Sequence, residues 1–113
     1  MVRSDAVGQR AIRVPDAAED DPRVCGLSAA VARLRAELDA YPARLHDRRT
    51  AEDELDALDV QIAEGVPSSD GLRHSLLLIV AAVGSVSALA DALSGLRNAV
   101  ELFGEAQEFR RVN

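Results

Sequence analysis

The stretch LRHSLLLIVAAVGSVSALADALSGLRNAVELF, residues 72–103, decides the fold class. Plotted at 100° per residue, Leu72, Leu76, Ile79, Val83, Val86, Leu89, Leu93, Leu96, Val100 and Phe103 fill one broad side of a helix. Beside them runs a row of small residues, Ala81, Ser85, Ala88, Ala92, Gly95 and Ala99, at alternating spacings of four and three. The remaining face (Gly84, Ser87, Asp91, Ser94, Asn98, Glu101) is narrow. The apolar arc is roughly 200° wide, against about 100° for an ordinary surface helix. The pattern predicts one helix over about 72–103, roughly 50 Å long, with two adjacent packing faces. One neighbour cannot cover both.

A membrane span is the competing reading of this stretch. Its uninterrupted apolar part, Leu76 to Ala90, would be roughly 22 Å long, short of the ~30 Å hydrocarbon core. Ser85 and Ser87 lie inside it and Asp91 closes it. A helix buried in protein is the better reading, and a membrane partner is not expected on this count.

Working outward, two shorter helices precede it. Asp21 is placed to cap a first helix, with Pro22 at its first turn. Val24, Leu27, Val31, Leu34, Leu38 and Tyr41 then recur at spacings of three and four, one stripe down one face. Arg33–Glu37 and Arg35–Asp39 stand as i,i+4 pairs on the other side. Pro42 breaks the chain before a second helix, expected from near Thr50 with Asp53 in a shortened capping box and acids in its first turns. Its stripe is Ala51, Leu55, Leu58 and Ile62, and Gly65 and Pro67 end it. Ser68, Ser69 and Asp70 are equally good caps for the helix that follows.

These lengths predict an all-α fold: an antiparallel helical hairpin or three-helix arrangement. The first two helices, broken at Pro42, lie end to end along the long third. Two such hairpins could dimerise into a four-helix bundle. Alternatively the third helix bends near Gly84 or Gly95 and one chain closes on itself. The dimer is the favoured expectation. The helical domain spans 21–104, with a disordered tail at 1–20 and a short polar tail at 105–113.

Composition agrees with packed helices. The chain is 48% hydrophobic but only 3% aromatic, its apolar content being Ala, Leu and Val. Asp47, Glu52, Asp53, Glu54, Asp56, Asp59 and Glu64, set against Arg48 and Arg49, give −5 of the net −6 within residues 47–64. No long basic block exists, so the footprint of a nucleic-acid partner is missing. Cys25 has no second cysteine to pair with, which fits a reducing compartment. The first twenty residues lack a signal peptide's build, so the expected location is cytoplasmic.

Sites for chemistry are sparse. Glu52, Asp56 and Asp59 share a flank of the second helix, but no His or Cys joins them as a metal site. His46, His74 and Cys25 fall on different elements, with Cys25 expected as a small core hydrophobe. Phosphate loops, HExxH and CxxC are absent from the sequence. The expectation is a protein with no catalytic, cofactor or metal residue. Two candidate surfaces remain. The small row (Ala81, Ser85, Ala88, Ala92, Gly95, Ala99) would be a self-association seam. The acids Glu52, Asp53, Asp56 and Asp59 would be a docking face for a basic protein partner.

The segments DPRV (21–24), VARLRAEL (31–38), AEDELDALD (51–59), LRHSLLLIVAAVGSVSALA (72–90) and AVELFG (99–104) together resemble a family of short actinobacterial helical proteins of unknown function. The resemblance carries over no catalytic or binding residue. It implies that SLLLIVAAVGSVSAL is the family's signature, as a packing core would be. The leading expectation is a non-enzymatic helical module that forms a homodimer through the third helix. The alternatives are an adaptor using the acidic second helix, or a membrane-associated protein.

Overall fold

The computed structural model describes residues 21–112, with side chains described for 21–104. The disordered tail expected at 1–20 lies outside the described residues. Among the described residues four α-helices follow in order: α1 (Pro22–Ala40), α2 (Arg48–Ala63), α3 (Ser69–Val83) and α4 (Ala90–Val112), with a 3₁₀ turn at Ser87–Leu89 before α4. No strand occurs among the described residues.

Local chemistry sets the ends. Asp21 caps α1 by accepting the Arg23 backbone N–H at 2.9 Å, and Pro22 supplies a first turn that needs no donor. The helix stops at Ala40, and Tyr41 is already extended ahead of Pro42. α2 starts at Arg48, two residues before the expected Thr50. Its cap position is Asp47, whose side chain makes no capping bond, and its first turn holds Arg48 and Arg49 rather than acids. The anticipated capping box and dipole-compatible acids are therefore not what begins it. Gly65 follows α2 at φ +124°, a conformation favouring glycine. Ser68 resolves the three-way choice of cap for α3: its Oγ accepts the Gly71 N–H at 3.1 Å.

The single helix expected over 72–103 is two helices. α3 ends at Val83, Gly84 still donates its N–H to the Val80 carbonyl at 2.8 Å, and Val86 turns extended at φ −88°, ψ 106°. The segment Val83-Gly84-Ser85-Val86-Ser87 contains only poor helix formers, with β-branched Val83 and Val86 on either side of Gly84-Ser85. Breaking here resolves the 200° apolar arc. The half on α3 (Leu72, Ile79, Val83) and the half on α4 (Leu96, Val100, Phe103) both turn inward once the chain folds back. Gly95, the other proposed bend, stays within α4. α4 also runs on to Val112, so 105–112, expected as a short polar tail, is helix.

Neighbouring helices run antiparallel. Arg48 at the start of α2 meets Asp39 at the end of α1, and Gln61 near the end of α2 meets Ser75 in α3. Arg23 at the start of α1 lies 4.8 Å from the Phe103 ring in α4. The broad contacts are α2 with α3 and α1 with α4; α3–α4 and α1–α2 close the ring, α1–α2 least extensively. The described residues of one chain thus make an up-down-up-down four-helix bundle. Its core is aliphatic: Leu27, Leu34, Leu38, Leu55, Leu58, Leu72, Ile79, Leu89 and Leu96 are all sealed from solvent. Among the described residues no helix is long and apolar enough to cross a membrane.

Candidate functional site

The acidic flank of α2 is built from positions spaced three and four, which align along one side of the helix. Most of it is engaged within the molecule. Arg35, on α1, donates from Nη1 to Asp56 at 3.0 Å and from Nη2 to Asp59 at 2.7 Å. Arg48 donates from Nε to Glu52 at 2.9 Å and from Nη2 to Asp39 at 3.2 Å. The Glu52 bond is the main reason the Arg48 guanidinium is held still more firmly protonated. Of the four acids, only Asp53 is exposed and joined to no arginine among the described residues. The i,i+4 pair Arg35–Asp39 does not form. Two carboxylates across the seam occupy both Nη atoms of Arg35, and Asp39 turns to Arg48 instead. Arg33–Glu37 does pair, at 3.1 Å.

The row of small residues is divided by the break at Gly84. Ala92 and Ala99 are buried, and a Cβ on half-buried Gly95 would stand 3.8 Å from Arg33 Nη1 of α1. That half lets α1 approach α4 within one chain. Ala81, Ser85 and Ala88 are exposed. Ala81 continues the solvent-facing line of α3 that runs Asp70, His74, Leu77, Ala81, and Leu77 on that line is 65% exposed. Leu77 and Ala81 therefore put an apolar pair on the solvent-facing side of α3, ahead of the turn that carries Ser85 and Ala88.

A groove of about 290 Å³ lies between α1 and α2. Buried Val31 is its floor, Ser28, Ala32 and Ala36 line one wall, and Arg35, Asp39 and Asp59 supply the polar rim. Sequence reasoning missed it. The signal was there in Ser28, Ala32 and Ala36, three small side chains one turn apart beside the Leu stripe.

Residues with chemical potential are dispersed. Cys25, expected as a core residue, is exposed on α1: position 25 falls off the 24–27–31 stripe. His74 is exposed on α3, and His46 is exposed in the α1–α2 connection. No group of three or more His, Cys, Asp or Glu side chains among the described residues could hold a metal ion.

The chain belongs to a family of unknown function, DUF5955, whose model matches residues 16–104. No curated protein and no solved structure matches it.

Proposed function

We propose that this member of the family is a non-enzymatic, cytoplasmic interaction module that forms a homodimer through the α3–α4 corner. One observation carries the reading: Leu77, 65% exposed, stands one turn from exposed Ala81 on α3, and the turn that follows α3 exposes the small side chains Ser85 and Ala88. A lone surface leucine needs no explanation. A leucine set among small side chains lets a second helix come close enough to bury it. The seam is thus the exposed front half of the small row, since Ala92 and Ala99 are already covered by the chain's own packing.

Light scattering on the purified chain at tens of micromolar, about 6 kcal/mol of association free energy, tests this. A dimer is expected, and Leu77→Lys should convert it to a monomer with an unchanged helical spectrum. A wild-type chain that stays monomeric would end the proposal. Ala92→Leu is not a usable probe, because overpacking that buried site would itself cost about 1–3 kcal/mol.

A second reading has the acids of α2 dock a basic partner. Its support is that Asp53 is exposed and that Asp56 and Asp59 keep 67% and 53% side-chain exposure despite their bonds to Arg35. Such a partner would compete with Arg35, so Asp53→Lys should weaken its capture more than Asp56→Asn, and added salt should weaken both.

A further inference from the structure

We propose that the groove between α1 and α2 is the docking site of the chain's own N-terminal segment, residues 2–14. The groove exists because α1 and α2 make the least extensive of the four helix contacts, and because Ser28, Ala32 and Ala36 leave the α1 wall low. Val31 forms an apolar floor, and the acids at the rim and beside it, Asp39, Asp56 and Asp59, outnumber the arginines that bind them, Arg35 and Arg48. The occupant should therefore carry small or branched apolar side chains interleaved with cations.

The segment VRSDAVGQRAIRV, residues 2–14, has that chemistry. Val7, Ala11 and Val14 recur at spacings of four and three, and Arg3, Arg10 and Arg13 face a single acid, Asp5. It is also in reach. The groove begins about 10 Å and ends about 27 Å along α1 from Asp21, at 1.5 Å per residue. Val14 lies seven residues before Asp21 and can stand up to about 24 Å from it, and Arg10 up to about 38 Å, at 3.3–3.6 Å per residue. Being tethered to the helix it docks on, the segment meets the groove at an effective concentration on the order of millimolar, so weak contacts suffice. The segment precedes the part matched by the family model, residues 16–104, so this docking is a property of the present chain. It is independent of the self-association face.

Amide NMR spectra of the full chain test it. Three proteins are compared: wild type, Arg10→Glu/Arg13→Glu, and Ala32→Arg, which puts a bulky cation into the groove from an exposed position. Both variants should shift the amides of residues 28–39 outside the mutated position. In both, the amides of residues 2–14 should lose their distinct wild-type positions and collapse toward those of an unstructured peptide. Thermal melts verify that the bundle is intact, and Ala36→Arg replaces Ala32→Arg if that variant unfolds. The proposal is overturned if residues 2–14 give the same spectrum in wild type and Ala32→Arg. It is equally overturned if the arginine reversals shift the amides around Leu77 instead of 28–39. Shifts at 28–39 that vanish on dilution would assign the occupant to a second copy of the chain, and would also refute it.

Discussion

Gly65 is the one described glycine held at positive φ, at +124°, and it turns the chain out of α2 toward α3. A Cβ there meets no neighbouring atom, so a substitution is strained by the backbone alone. Gly65→Ala should cost about 1–2 kcal/mol, read from urea unfolding with an unchanged m-value. Asp21 makes a prediction of a different kind. Its carboxylate accepts the Arg23 guanidinium at 2.7 Å and the Arg23 backbone N–H at 2.9 Å. The guanidinium bond, foremost, holds it below the usual carboxylate range. A carboxyl depressed in the folded state contributes stability that is complete above its unfolded value and lost as pH falls through the folded one. Asp21→Asn keeps a good helix cap but cannot titrate. The variant should therefore lose less stability than wild type as pH drops from about 5 to about 2, and a parallel acid limb would exclude the linkage.

At the scale of elements, the α1–α2 seam depends on Arg35, the one side chain that ties both Asp56 and Asp59 to α1. These groups are well exposed, so the tie is modest. A double-mutant cycle on Arg35→Ala and Asp59→Ala should give a coupling of about 0.2–1 kcal/mol. The coupling should shrink in high salt, and one that persists at molar salt would mean the pair is not electrostatic. This seam marks the limit of what the sequence discloses. The Leu stripes of α1 and α2 follow from spacing alone, because a buried helix face must repeat every three or four residues, and Val24 through Leu38 and Ala51 through Leu58 are buried accordingly. The break at Val86 was only half legible. The overwide arc over 72–103 called for extra neighbours, but the spacing of bulky residues runs through Gly84 without interruption, so periodicity could not choose between a second chain and a reversal. The groove and the partner of Arg35 were illegible because both depend on how two helices splay, which no single-helix pattern encodes.

For the whole molecule, the reversal changes what self-association has to accomplish. If two hairpins had to meet to close the bundle, folding and dimerisation would be one event. Instead Leu34, Leu55, Leu72 and Leu96 from four successive helices are sealed within a single chain, so the core is complete before any partner arrives. Two substitutions separate the cases. Leu96→Ala removes a fully buried side chain and should cost about 2–5 kcal/mol whatever the protein concentration. Leu77→Lys alters a side chain that is 65% exposed and should leave the monomer's stability within about 0.5 kcal/mol. Binding of a second copy to the folded state alone makes the melting temperature rise with concentration, by mass action. At about 4–8 °C per kcal/mol for a domain of this size, the wild-type midpoint should climb measurably between dilute and concentrated samples, while that of Leu77→Lys stays level. A Leu77→Lys chain that no longer melts cooperatively would show that the bundle does need its partner, and would return the hairpin dimer as the unit of folding.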